Sequence, residues 1–267
     1  MSRPGTLIGA ALLGAVFLAA AVGPLLAPFD PEAQDLDHAL EAPSRAHWLG
    51  TDENGCDSLS QALHGARLAV FIAATVVAVS LVLGVAIGSA AGYAGGLLDD
   101  VVMRLCDVLL AFPGILLNLA ILAVARRPGL GHLLFALCVN GWVGYARLAR
   151  AQALGLRERE FVTAARALGL PAWRVLAGHV VPNLLGPIVV QATFGFAGVV
   201  IVEASLSFLG LGPSLGYTWG ALMSQGTAYL WQTHRLATIP GVCIAAVVLG
   251  CNLVGDALRD RLDPRTR

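Results

Sequence analysis

The chain is 267 residues long, 57% hydrophobic and only 13% charged, with 17 basic residues balancing 17 acidic ones. That balance belongs to a polytopic membrane protein rather than a soluble domain, and it excludes catalysis in a soluble cleft. Every basic residue counted is arginine, and the arginines lie beside apolar stretches, so no basic face for nucleic acid is formed.

A bilayer core of about 30 Å needs about 20 apolar residues in helical form. Six stretches meet that need, at residues 7–26, 68–93, 101–125, 132–149, 184–209 and 237–255. The first has Arg3 ahead of it, as a secretory signal would, but its apolar run exceeds a signal's hydrophobic region and reads as a retained anchor. Residues 27–67 form an acidic loop carrying Asp30, Glu32, Asp35, Asp37, Glu41, Asp52, Glu53 and Asp57. It either faces a protein outside the membrane, closes a pathway there, or is a solvated cap. Its carboxylates lack the glycine turn and terminal glutamate of a calcium loop, so no metal is expected. Of the five cysteines (Cys56, Cys106, Cys138, Cys243, Cys251), only Cys56 stands outside an apolar stretch, which argues against a disulfide framework or a zinc site.

Within the second stretch Gly84, Gly88 and Gly92 recur every four residues, marking a helix face for close packing. Pro113-Gly114 interrupts the third, giving a bend that lines a cavity or serves packing alone. Arg104 and Asp107, three apart, are expected to pair on one helix face. Asn140, Gln191 and Asn252 are interhelical hydrogen-bonding groups. Glu203 has only Ser205 and Ser207 as polar neighbours; it meets a cationic partner or reaches water at an outer interface.

Cytoplasmic flanks of membrane proteins retain positive charge. With the N-terminus inside, Arg3, Arg104, Arg147, Arg150, Arg157, Arg159, Arg166, Arg174, Arg259, Arg261, Arg265 and Arg267 are cytoplasmic, against Arg45, Arg67, Arg126, Arg127 and Arg235 outside. Both termini and the segment 160–183 therefore fall inside.

That segment, EFVTAARALGLPAWRVLAGHVVPN, reads as two short helices. Gly169 suits the left-handed position after Leu168, Pro171 the first turn of the next helix, and Pro182 its end. Ala164, Ala165 and Ala167 leave a narrow surface, Trp173, Leu176 and Val180 an apolar stripe, and Arg166, Arg174 and His179 polar contacts. Small, apolar and cationic groups together suit insertion into a cleft of a partner.

The segment resembles the EAA loop of ABC importer permeases, and RALGLPAWRVLAGHVVPN is similar to the dipeptide, oligopeptide and nickel permeases in particular. HWLGTDENGCDSLSQALHGARLAV from His47, EASLSFLGLG from Glu203 and NLVGDALRDRLDP from Asn252 extend the resemblance over most of the chain, which is most like the second, C-type, dipeptide permease subunit. The family's triplet glutamate is Thr163 here, with Glu160 three residues earlier covering part of its role; Cys56 and Gln61 stand where the family usually has arginines.

The resemblance implies an all-α integral membrane protein of type I ABC importer fold, with six transmembrane helices and a cytoplasmic coupling helix. It implies a division into residues 1–26 (cytoplasmic N-terminus and first span), 27–67 (acidic external loop), 68–255 (permease domain, with its coupling loop at 150–183) and 256–267 (cytoplasmic tail). The implied location is the bacterial inner membrane. Glu160, Thr163, Ala164, Ala165, Arg166, Gly169, Leu170, Trp173, His179 and Pro182 are the implied coupling residues, and Pro113, Gly114, Asn140, Gln191 and Glu203 candidate pathway residues. The partners implied are a homologous second permease, ATP-binding subunits holding ATP and Mg, an external substrate-binding lipoprotein and membrane lipid, with no nucleic acid. The chain itself binds no cofactor and is no enzyme: it lacks a phosphate-cradling GxxxxGK[ST] loop, a nucleophile elbow and an HExxH pairing. Dipeptides or oligopeptides are the expected cargo, with nickel, metal chelates, haem or glutathione as alternatives inside the family. An ion-coupled secondary transporter is the rival from another class; that class usually shows broken helices and buried midplane charges, and here the interior charges are few while a docking loop is prominent.

Overall fold

Asp57 starts the longest helix, its carboxylate accepting a hydrogen bond from Ser60 N at 2.8 Å. From there α2 (Ser58–Ala94) runs for 37 residues, roughly 55 Å at 1.5 Å per residue. It stops at Gly95, whose φ of 69° and N–H bond to the Ala91 carbonyl at 2.8 Å close the last turn. A computed structural model describes residues 3–125, 129–213 and 217–262; of the residues cited above, Arg126, Arg127, Asp263, Pro264, Arg265 and Arg267 lie outside these, as does the side chain of Arg3.

The other helices are α1 (Arg3–Leu26), α3 (Gly96–Ala111), α4 (Gly114–Val124), α5 (Leu130–Leu156), α6 (Glu160–Ala167), α7 (Ala172–Val175), α8 (Val181–Phe208), α9 (Trp219–Ala228) and α10 (Arg235–Leu262). The strongest packing is between α2 and α5. A Cβ placed on Gly84, Gly88 or Gly92 would run into the α5 backbone at Trp142, Ala146 or Arg150, so the glycine face packs as expected. On the other side of α2, α1, α8 and α10 meet it around a core of Ala66, Ala69, Ala73, Ala197, Val247 and Cys251. Small side chains dominate because lipid tails supply no hydrophobic drive for association, leaving close backbone approach to hold the bundle. Leu7, Leu18, Val82 and Val242 point outward, as lipid contact requires.

Among the described residues four helical runs are long and apolar enough to cross a membrane: Pro4–Leu26, Ser58–Ala94, Ala172–Phe208 and Arg235–Leu262. A fifth is reached if α3 and α4 count together. The expected third span is thus broken rather than kinked: α3 and α4 meet at 84°. Phe112, preceding Pro113, is forced out of the helical region to ψ 133°, and Pro113 has no N–H to carry the ladder on. The expected fourth span lies in α5, which is long enough at 27 residues but diluted by Asn140, Trp142, Tyr145 and Arg147.

Three more expectations are corrected. Pro182 does not end a helix: a π turn at Leu176–Val180 carries the chain from α7 into α8, and this widened turn accommodates the proline ring and its missing donor. Arg104 and Asp107 are both exposed and form no ion pair among the described residues; instead Arg150 of α5 grips Asp99 of α3 in a two-pronged bond, 2.5 and 2.6 Å. The acidic loop ends at Asp57, since residues 58–67 are already helical. The unexpected α9 is capped by Thr218 and pinned by buried Trp219, whose Nε1 donates to the Ala62 carbonyl at 3.1 Å.

Candidate functional site

Two ends and one cavity of the bundle carry the candidate residues. At the Ala94 end of α2, α6 buries one face: Val162 and Ala165 join Ala149, Ala153, Val175, Val180, Leu184 and Ile188 in a single apolar cluster. The expected stripe is therefore split, with Val180 fully buried, Leu176 half-buried and Trp173 exposed, and Ala165 turns inward while Ala164 faces out. Gly169 sits at φ 80°, as expected for the left-handed cap. Its N–H bonds the Arg166 carbonyl at 2.9 Å and the Leu170 N–H reaches the Ala165 carbonyl at 3.3 Å, the paired bonds of a Schellman stop. Pro171 then caps α7.

What remains outward is a mixed surface. Phe161, Leu168 and Trp173 are 43%, 80% and 66% exposed, with Glu160, Arg174 and Pro182 exposed around them. The Arg174 guanidinium lies 5.1 Å from the Trp173 ring. The Thr163 hydroxyl donates to the Glu160 carbonyl at 2.9 Å, so it is spent within its own helix. Asn183 Nδ2 bonds the His179 carbonyl at 2.6 Å, while His179 Nδ1 is buried with no hydrogen-bond partner in the protein. One cation ties this segment to the end of α2, and a second ties the adjoining end of α5 there. Arg166 Nε donates to the Tyr93 hydroxyl at 3.0 Å with its guanidinium 4.7 Å from the ring centre, and Arg157 Nη1 donates to the Gly92 carbonyl at 3.4 Å. Tyr93 went unread in the sequence, since nothing local links it to a residue 73 positions away.

At the Ser58 end, residues 27–57 close over the bundle. The buried Asp52 carboxylate accepts from Asn54 N and Cys56 N at 2.8 Å and from Gln61 Nε2 at 2.7 Å. Gln61 is itself buried by this contact. Asp57, besides capping α2, lies 3.0 Å from His47 Nδ1, and Arg235 of α10 donates to the Leu49 and Thr51 carbonyls at 3.0 Å each. All five cysteines are free thiols. Burial, reinforced by Asp52, pushes the Cys56 thiol up to about 12. Burial also raises the Glu53 carboxyl, and the bonded Asp35 raises exposed His38. No group of three or more metal-ligating side chains occurs among the described residues.

Between α2, α4, α5 and α8 lies a cavity of about 230 Å³ whose polar lining is Ser80, Asn118, Asn140, Tyr145 and Gln191. Asn140 and Gln191 are brought together here as candidate pathway groups, and Gly114 backs directly onto the Asn140 amide. Ser80, Asn118 and Tyr145 were missed; Asn118 alone left a trace, as the one polar residue in 114–124. Glu203 is not part of this lining: it is 2% exposed and accepts from Ser207 Oγ at 2.6 Å, so it does not reach water. Gln191 also borders an adjoining space of about 570 Å³, lined by Pro187, Phe194 and Arg259 among others.

Residues 84–267 match the family described as binding-protein-dependent transport system inner membrane component, and residues 1–43 match the N-terminal transmembrane domain of oligopeptide transport permease C. The chain is 37% identical to a dipeptide transport system permease protein of Alkalihalophilus pseudofirmus, over 98% of this chain and 86% of the relative. It is 36% identical to a probable D,D-dipeptide transport system permease protein of Escherichia coli, over 98% and 88%. To an oligopeptide transport system permease protein of Bacillus subtilis it is 35% identical, over 98% and 86%.

Proposed function

The chain belongs to the family of inner-membrane components of binding-protein-dependent transport systems, and on that premise we propose that it is the permease subunit of an ATP-driven importer of dipeptides or oligopeptides. With a homologous permease it forms the translocation pathway across the bacterial inner membrane. Six spans cross the bilayer: the four apolar runs, the bent α3–α4 pair, and α5, whose polar groups are sheltered by α2, α4 and α8. Both termini and the segment 160–183 are cytoplasmic. The secondary-transporter alternative is set aside by the family.

One observation carries the coupling role. Residues 160–183 bury one face against their own bundle and leave Phe161, Leu168 and Trp173 uncovered beside Arg174. A cleft of the ATP-hydrolysing subunit covers that surface. ATP and Mg act in that subunit; this chain contributes no cofactor and no catalytic group. When the ATPase pair closes on ATP, the 164–169 turn moves with it. Arg166 and Arg157 pass the motion to Tyr93 and Gly92, and the Asp99–Arg150 bond carries it on between α3 and α5. Rigid helices turn this into alternating opening of the pathway. An external substrate-binding lipoprotein delivers cargo at the 27–57 cap.

The test is gentle purification of the tagged chain from its native membrane, followed by mass spectrometry. A second six-span permease, a Walker-motif ATPase and a peptide-binding lipoprotein are expected. The chain emerging alone, stable and homogeneous, would contradict the assignment.

A further inference from the structure

The cavity between α2, α4, α5 and α8 has hydrogen-bonding capacity that the protein does not use. Asn118 and Tyr145 are each only 4% exposed, yet Asn118 Oδ1, Asn140 Oδ1 and the Tyr145 hydroxyl have no hydrogen-bond partner within the protein. Buried polar groups in a bilayer are costly unless they are paired. Acceptors and donors are both present: the asparagine oxygens accept, and the Tyr145 hydroxyl and Gln191 amide donate. Among the described residues no carboxylate, guanidinium, imidazole or thiol lines the cavity.

We propose that this cavity is a recognition site for the peptide bond of the cargo. The oxygens of Asn118 and Asn140 take the backbone N–H, and Tyr145 and Gln191 hold the carbonyl. About 230 Å³ is below the usual size of a pocket for a whole drug-sized ligand and suits one such unit. The cargo's charged ends find no counter-charge here and stay in wetter parts of the route, one of which adjoins through Gln191. A nickel ion finds none of the imidazole, thiolate or carboxylate ligands it prefers, so the site discriminates between cargoes that the family resemblance left open. This inference rests on the reading of the chain as a peptide permease.

The experiment uses the complete importer, both permeases with ATPase subunits and binding protein, in proteoliposomes. ATP-driven uptake of dialanine is compared with uptake of alanyl-lactate, the ester that lacks the backbone N–H. Asn118→Leu removes an acceptor without breaking any hydrogen bond inside the protein. It is expected to cut dialanine uptake about threefold to tenfold while leaving ester uptake within about twofold, so that their ratio collapses. The delivering protein is the same in all four measurements and cancels from the ratio. Asn140→Leu repeats the measurement at the second acceptor should the first variant fail to assemble. An equal fall for both compounds, or no change in either, would overturn the site. Failure of the unsubstituted importer to take up dialanine, alanyl-lactate or a longer alanine peptide would overturn the peptide reading itself, and the site with it.

Discussion

At the Ser58 end of α2 charged side chains tie a loop down by many hydrogen bonds, while at the Ala94 end the segment 160–183 is held mainly by a buried apolar face. Asp52, Asp57 and Arg235 close residues 27–57 into a cap by bonds to backbone groups that would otherwise be stranded. Residues 160–183 are held by one buried face and the Arg166 bond to Tyr93, with Arg157 tying the adjoining end of α5 to Gly92, and Leu168 and Trp173 are left outside. A region that must resist change ties its backbone with polar side chains. One that must engage a moving partner keeps large side chains unspent and its anchors few.

The largest effect is expected at Gly169. A β-branched residue at φ 80° is strained by about 1–2 kcal/mol or more, although the space around Gly169 is open. Gly169→Val should abolish ATP hydrolysis stimulated by loaded binding protein without impairing membrane insertion, and Gly169→Asn, which tolerates this backbone, should restore much of it. Normal coupling in the valine variant would erase the contrast between the two ends. At the capped end, Asp52→Ala removes three hydrogen bonds from a buried carboxylate and should cost about 3 kcal/mol, read as a lower unfolding temperature of the purified complex.

A smaller effect separates anchoring from docking. Arg166→Met loses the bond and the ring contact to Tyr93, about 1 kcal/mol together, and should lower the coupling ratio of transport to hydrolysis several-fold while the complex still assembles. The smallest concerns Glu53. Its folded pKa lies above the usual 4.5, so the folded chain holds its proton more tightly and stability is lost as pH rises from about 4.5 through the raised value. Glu53→Gln should flatten that slope, measured as thermal stability of the complex across mildly acid pH.

Runs of apolar residues made α1, α2, α8 and α10 legible, and the Gly169-Leu170-Pro171 turn was readable because its signals are local. Pro182 was misread, since whether a proline ends a helix depends on a π turn one turn upstream that composition does not encode. The α9 helix is short and draws its stability from Trp219 bonding a carbonyl 157 residues earlier. The polar cavity was only half visible for the same reason: Ser80, Asn118 and Tyr145 look like isolated polar residues until the helices bring them together.

The most direct measurement places a photo-crosslinking side chain at Leu168 in one variant and at Trp48, 70% exposed at the capped end, in another, with irradiation in the native membrane. The account predicts that Leu168 captures a Walker-motif ATPase and that Trp48 does not. An ATPase captured at Trp48, or none at Leu168, would contradict it.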